Sequence, residues 1–320
     1  KIGLSALAGS LVATSAFAGE VTVAGSAGMY LEHINGGGAN SGKSFSMDNQ
    51  LTFTGGGELD NGLNVSISFV LDQGDDSSAA TTTVLAGAPF DSHSVTVSSD
   101  ALGSIVMHGE GGSSAAGAVD GTAAGNIWDL FMATADEPDA AAGASNMLVY
   151  TLPTMMDGVA VAASYSPKGT GFESSSSWSV AYTGVEGLSL TYAQGTDNVS
   201  GTSEADQTVM KATYAYGPVT VGYSNSEYDD EAAAGDEETT AYNIAYTVSD
   251  AISVSYGTEE HEKGVQSASN VAFEGEKAKI SYTAGGMTLS ATSASGDNVS
   301  FSTATTEDRE VWALGASFAF

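Results

Sequence analysis

The last nine residues, Trp312 to Phe320, alternate large apolar and small side chains without a break. Trp312, Leu314, Ala316, Phe318 and Phe320 share one parity, and Ala313, Gly315, Ser317 and Ala319 share the other. Successive side chains of a β-strand point to opposite faces. Such a strand therefore has one large apolar face and one face that carries nothing bigger than Ala or Ser. In water, an aromatic strand left unpaired at a chain end is a template for aggregation. A closed barrel in a bilayer suits it on every side, with lipid outside, a lumen inside and paired neighbours on both edges. In that setting Trp312, Leu314, Phe318 and Phe320 belong to the strand on which assembly depends.

The same alternation recurs upstream. Val21, Val23, Gly25, Ala27, Met29 and Leu31 share a face, as do Leu63, Val65, Ile67, Phe69 and Leu71. Further examples are Trp178–Val180–Tyr182, Leu188–Leu190–Tyr192, Val219–Val221–Tyr223, Tyr242–Ile244–Tyr246–Val248 and Ile252–Val254–Tyr256. The opposite face is repeatedly Ser, Thr, Ala, Gly or Asn, which is polar but small and uncharged. A soluble sandwich would bury the large face and present charge on the other. Tyr165, Tyr182, Tyr192, Tyr223 and Tyr256 close the apolar face near strand ends, as an interfacial girdle does. After residue 18 no stretch approaches the roughly 18 apolar residues of a spanning helix. A membrane-embedded structure must then be a barrel.

Residues 1–18 read as a secretory signal: Lys1, an apolar stretch from Ile2 to Ala13, and the small-x-small site Ala16-Phe17-Ala18. That assigns 19–320 to the barrel. Its connections alternate in length. Short turns fall at Asp60-Asn61-Gly62, Asp100 to Gly103, Pro153 to Gly158, Gly184 to Gly187, Gly217-Pro218, Ser249 to Ala251 and Thr283 to Gly286. They carry Asn-Gly, Gly-Pro or Asp with Gly. Long connections fall near 34–43, 72–90, 110–146, 167–175, 195–206, 228–238, 260–268 and 296–306. Seven short and eight long connections imply sixteen strands. The fold class is therefore all-β, a 16-stranded antiparallel transmembrane β-barrel with short periplasmic turns and long external loops. Ser44 to Leu59 is where strand boundaries are least clear.

Charge and composition narrow the function. Against 39 acidic residues stand 8 basic ones, a net charge of −31, so phosphate-rich nucleic acid is excluded as a partner. There is no Cys, hence no disulfide framework and no thiolate metal site. His33, His93, His108 and His261 lack metal-ligand spacing, and no nucleophile elbow, P-loop or dinucleotide fingerprint occurs. Nothing in the chain points to an enzyme.

The third long connection, 110–146, is the longest, and a loop of that size inside a compact fold is functional. Its centre, Ile127 to Met132, needs a packing surface, which the inside of a barrel wall supplies. Glu110, Asp120, Asp129, Asp136, Glu137 and Asp139 would then border a water-filled gap, a constriction that prefers cations. Parity places Lys211, Lys277 and Lys279 on the lumen wall, as candidates for a basic side of the pore. His108, which shares parity with Glu110, lines the lumen too. Acid clusters crowd other connections: Asp229, Asp230, Glu231, Asp236, Glu237 and Glu238, together with Asp75-Asp76, Glu259-Glu260 and Glu307-Asp308. Such clusters offer the oxygen ligands that Ca²⁺ or Mg²⁺ accepts, and could bridge to lipopolysaccharide phosphates.

With its signal, strand rhythm, long third loop and terminal Phe320, the chain resembles the general bacterial outer-membrane porins of the alphaproteobacterial type. The resemblance implies a homotrimer in the outer membrane of a Gram-negative bacterium, surrounded by outer-membrane lipid and lipopolysaccharide. It also implies a water-filled channel for passive diffusion of small hydrophilic solutes and ions, without a cofactor, narrowed by the third loop. The chain departs from the family pattern in having no arginine ladder opposite that loop. A second reading, an acidic extracellular structural or adhesive protein of surface-layer type, fits the composition. The lack of an internal repeat, the alternating loop lengths and the end on Phe320 weigh against it.

Overall fold

The computed structural model describes residues 21–36, 42–72, 91–131, 143–167, 174–200, 203–231, 235–267, 270–303 and 307–320. The strands are β1 Thr22–Gly36, β2 Gly42–Glu58, β3 Asn64–Asp72, β4 Ser92–Ser99, β5 Gly103–Glu110, β6 Gly112–Ser113, β7 Gly143–Ala144, β8 Met147–Thr151 and β9 Val159–Ser166. They continue as β10 Ser175–Tyr182, β11 Leu188–Ser200, β12 Ser203–Tyr216, β13 Val219–Asp230, β14 Glu237–Ser249, β15 Ile252–Lys263, β16 Phe273–Ala284, β17 Met287–Asp297 and β18 Arg309–Ala319. All but β6 and β7 form one closed, antiparallel, 16-stranded barrel in chain order, in which β1 pairs with both β2 and β18. The short β6 and β7 pair with each other within the third loop.

Closure is made by the carboxy-terminal strand. The β1–β18 ladder runs from Ser26 opposite Ala319 to Gly36 opposite Arg309. Phe320 extends it: its N–H donates to the Gly25 carbonyl at 2.9 Å, and Gly25 N–H donates to the Phe320 carbonyl at 2.7 Å. In a membrane an open sheet edge would leave such groups unpaired at several kcal/mol each. The turns follow their residues. In Asp60-Asn61-Gly62, Leu63 N–H donates to Asn61 Oδ1 at 3.2 Å, and Gly62 takes a φ of 81° that a side chain would resist.

Parity sorts the two faces. Val95, Ile105, Met107, Leu190, Val221, Ile244, Ile280, Leu289 and Leu314 point outward and are exposed, which in a bilayer is contact with lipid. Buried side chains gather instead inside the lumen. Ile34, Ala193, Val209, Ala241, Phe273, Ala294 and Val311 project from the wall, and Ile127, Trp128 and Phe131 meet them from the third loop.

Several strands run further than hydrophobic alternation alone suggests. Gly42–Glu58 is a single strand. Pairing of β11 with β12 continues to Asp197 opposite Ala205, and that of β14 with β15 to Glu237 opposite Lys263, through segments the sequence marks as loops. The ladder depends on backbone groups, which pair above the lipid as well as within it. The apolar signature stops where lipid stops, and the strand does not. The segment read as a secretory signal lies outside the described residues.

Candidate functional site

From the end of β5 the third loop turns into the barrel, and residues 114–131 run along its inner wall from β9 to β18. Small lumen-facing side chains catch its backbone one strand after another. Ala115 N–H donates to Ser164 Oγ of β9 and Ala116 N–H to Ser177 Oγ of β10, each at 3.0 Å. Lys211 of β12 donates to the Gly121 carbonyl, and Ala123 N–H donates to Ser224 Oγ of β13 at 2.8 Å. Lys277 of β16 donates to the Gly125 carbonyl at 2.7 Å, and Arg309 of β18 to the Phe131 carbonyl at 2.9 Å. The turn between is closed on itself: Thr122 N–H donates to Asn126 Oδ1 at 3.0 Å, and Asn126 N–H to Thr122 Oγ1 at 2.8 Å.

The wall beneath is cut to fit. Gly257 of β15, Gly275 of β16 and Gly296 of β17 face the loop where a Cβ would come within 2.9 Å of Ala124, 2.9 Å of Ile127 and 2.8 Å of Phe131. A glycine inside a strand marks the close approach of another chain segment, and here three consecutive strands carry one. Into this track press Ile127, Trp128 and Phe131, all buried. The Trp128 ring stacks on Phe301 at 5.4 Å and meets Phe273 edge-on at 5.0 Å, while Phe131 lies 5.8 Å from Phe273. Phe301 and Val299 come from the segment after β17, so a second connection folds in over the third loop. Burial of three such side chains contributes about 1.5–3 kcal/mol each.

The strongest polar anchor is Glu259, only 2% exposed on β15. Its Oε1 accepts from Trp128 N–H at 3.0 Å and from His261 Nε2 at 2.9 Å, and its Oε2 accepts from Thr122 Oγ1 at 2.5 Å. His261 Nδ1 in turn lies 2.6 Å from Thr239 Oγ1. Sequence reading placed Glu259 in an acid cluster of an external loop and gave His261 no role. Parity was the available signal: Gly257, Glu259 and His261 share the lumen face, whereas Tyr256, Thr258 and Glu260 share the outer one.

The described part of the loop leaves the lumen face of β1–β5 largely uncovered. Register places Tyr30 and Glu32 of β1, Asp48 of β2 and Asp72 of β3 on that face. Tyr30 donates to Asp48 Oδ2 at 2.8 Å. His108 of β5 faces the same way, opposite Ser94 and Met147. On the loop, Asp120 is partly buried and Asp129 lies in the single turn Trp128–Phe131. Partial burial raises the Asp129 pKa, with Glu259 adding to the rise and Asn126, His261 and Lys277 opposing it.

Among the described residues the bases do not form an opposing wall. Lys211 and Lys277 face the lumen but hold the loop down from beneath, and Lys263 and Arg309 pair with Glu237 and Glu307 at 2.8 Å and 3.1 Å. Lys279 faces the lumen, opposite Ser255 and Thr292. Glu110 ends β5 beside a register shift at His93. Asp136, Glu137 and Asp139 lie outside the described residues. The acids read as a divalent-cation cluster are separated by strand alternation. Asp229 and Glu238 point outward, Asp230 and Glu237 inward, Asp236 accepts from Asp230 N–H, and Glu231 follows β13. Among the described residues no three His, Asp or Glu side chains come together as metal ligands do.

Comparison with known proteins gives the same architecture. The chain superposes on the anion-selective porin from Comamonas acidovorans with a TM-score of 0.69 at 15% identity, covering 94% of this chain and 99% of that one. A multiply substituted Rh. blastica porin gives 0.66 at 16%, covering 94% and 100%. A loop-deletion mutant of OmpT, an outer membrane protein of Vibrio cholerae, gives 0.67 at 14%, covering 95% and 100%. No curated protein sequence matches the chain. The model of the Gram-negative porin family matches residues 3–276. With a closed sixteen-stranded barrel and a loop-lined lumen, the chain belongs to the Gram-negative porin family, the channels for passive diffusion across the outer membrane.

Proposed function

We propose that this porin prefers cations and that its constriction lies between the third loop and the β1–β5 wall. What supports the reading is acid on the loop, Asp120 and Asp129, together with Glu32, Asp48 and Asp72 on the lumen face of the wall. Carboxylates lining a narrow passage lower the energy of a cation there and raise that of an anion. Lys211 and Lys277, which would offset them, are fastened under the loop, and Lys279 faces the lumen on β16. The undescribed Asp136, Glu137 and Asp139 add to the acid side in this reading, with Glu110 at the loop entrance. The anion-selective Comamonas relative shares the fold, so the sign of selectivity belongs to the lining and not to the barrel. Family resemblance supports assembly as a homotrimer, with small hydrophilic solutes and ions as cargo.

The test is the zero-current potential of purified protein in a planar bilayer under a tenfold KCl gradient. Cation preference is expected, and it should fall when Glu32→Gln, Asp48→Asn and Asp72→Asn are combined. An anion-selective or unselective wild-type channel overturns the reading.

A further inference from the structure

Strand alternation sends the large aromatics of β1–β5 outward, with one exception. Among the described residues of these strands, Tyr30 is the one Phe, Tyr or Trp on the lumen face; Phe45, Phe53 and Phe69 take the other parity. A bulky ring in a lumen lined by small side chains has to be put somewhere, and the wall beneath it is shaped to receive it.

The ring lies down against the backbone. A Cβ built at Gly315, directly opposite on β18, would come within 2.9 Å of Tyr30 Cδ1. One built at Gly28, two residues back on β1, would come within 2.7 Å of Tyr30 Cε2. Glycine in a strand permits such close approach. Both edges of the ring therefore rest on glycine, and Gly28 is buried under it, while Tyr30 itself is only partly buried. One face of the ring is turned to the wall and the other to the lumen. The hydroxyl end is fixed, because it donates to Asp48 Oδ2 of β2 at 2.8 Å, and Asp48 stands opposite Gly28. Glu32 lies on the same face one row nearer the external end. The lumen-side face of the ring thus has a carboxylate at its hydroxyl end and another one row above it.

We infer that Tyr30 is the residue by which this pore distinguishes organic ammonium ions from alkali cations. The inference rests on the cation-preferring constriction proposed above and gives it a class of solute. Carboxylates attract both kinds of ion. An aromatic face adds an attraction that is greatest for a cation with little water to lose. An ammonium wrapped in methyl or methylene groups meets that condition, and it can lie on the ring while its charge stays beside Asp48 and Glu32. A strongly hydrated alkali ion gains from the carboxylates alone. The glycines set how far the ring stands into the water, so they belong to the same device.

Single-channel recording in KCl with added tetraethylammonium tests this. The ion should reduce the wild-type K⁺ current. Tyr30→Leu, which keeps an apolar side chain but no ring, should raise the half-blocking concentration about threefold. Tyr30→Phe, which keeps the ring and loses the bond to Asp48, should stay close to wild type. Gly315→Ala should lift the ring and lower K⁺ conductance, and Tyr30→Leu added to it should restore the wild-type level. Heat-modifiable migration shows that each variant is a closed barrel. Absence of block in the wild type, or equal half-blocking concentrations in wild type and Tyr30→Leu, overturns the inference. Unchanged conductance in Gly315→Ala overturns it too, since the ring would then not rest on that glycine. The zero-current potential of the same channels reads cation preference separately, because Tyr30→Leu leaves Glu32, Asp48 and Asp72 in place. A wild-type potential of the opposite sign would refute that preference, and the half-blocking concentrations would still decide the role of Tyr30.

Discussion

Removal of Glu259 tests whether the third loop is held by its carboxylate or by its apolar side chains. Two loop donors, Trp128 N–H and Thr122 Oγ1, end on that carboxylate. Hydrogen bonds to a charged group contribute about 1.5–3 kcal/mol each, so Glu259→Ala forfeits about 3–6 kcal/mol of loop attachment, less what the lost desolvation of the carboxylate returns. A net loss near 3 kcal/mol raises the released fraction of the loop about 100-fold. Burial of Ile127, Trp128 and Phe131 still favours attachment by about 5–9 kcal/mol. Glu259→Ala should therefore leave the main conductance level in place and add brief excursions to a larger one. Trp128→Ala should cost about 3–5 kcal/mol by its own cavity. Combined with Glu259→Ala, it should convert the excursions into a lasting, larger conductance. Single-channel recording reads both outcomes, and heat-modifiable migration confirms that the barrel is closed. A folded double variant with wild-type conductance and no excursions would refute the anchoring argument.

Deletion of Ile127 to Met132 should likewise raise conductance, and an unchanged value in a folded protein would remove that segment from the permeation path. Gly275→Val places a side chain where Ile127 already lies within 2.9 Å of a built Cβ; overpacking of about 1–3 kcal/mol should lift the loop and add open-channel noise, whereas quiet wild-type currents would speak against the close approach. Phe320→Ala keeps the backbone pair with Gly25 but removes an outward ring that is 73% exposed, and outer-membrane levels should fall; normal levels would mean that the ring is dispensable for assembly. Asp129 has a raised pKa, so as pH falls it takes up its proton before an ordinary aspartate does, and part of the cation preference should be lost first at that step. The zero-current potential of Asp129→Asn should lack that first step, and identical pH profiles would remove Asp129 from the lining. The same sign means that ionised Asp129 works against the folded loop at neutral pH, so the Asn variant should not lower thermal stability.

The barrel was legible because lipid writes on the outer face of every strand. Alternation from Val219 to Tyr223 or from Ile252 to Tyr256 needs no knowledge of partners: one face must be apolar wherever the strand crosses hydrocarbon. The lumen was less legible because its demands come from a loop more than a hundred residues away in sequence for some contacts, as between Glu259 and Trp128. Nothing in the sequence singles out Gly257, Gly275 and Gly296; their role shows only where Ala124, Ile127 and Phe131 lie over them. Parity says nothing about height or about what lies across, and Lys211 and Lys277 both donate to carbonyls of the loop. The acids from Asp229 to Glu238 were misjudged for a related reason. Past the lipid edge the hydrophobic signal fades while the ladder continues, so neighbouring carboxylates that look clustered in sequence are sent to opposite faces.

That division of labour separates the demands on the two faces of the wall. The outer face answers to lipid, and the ladder answers to unpaired backbone groups; both constraints are satisfied by many sequences, which is consistent with barrels superposing at 14–16% identity. The inner wall is divided again. From β9 to β18 it is occupied by glycines, serines and buried anchors that hold the third loop, where a change of charge would leave a buried group unpaired at a cost of several kcal/mol. Among the described residues, the charged side chains Glu32 and Asp48 of the β1–β5 strip and Asp129 of the loop lie outside the hydrogen bonds that hold the loop to the wall. Selectivity in this chain should accordingly respond to Glu32, Asp48, Asp72 and Asp129. Neutralising Glu259, Lys211 or Lys277 should alter conductance and noise, with any change of ion preference following from the displaced loop.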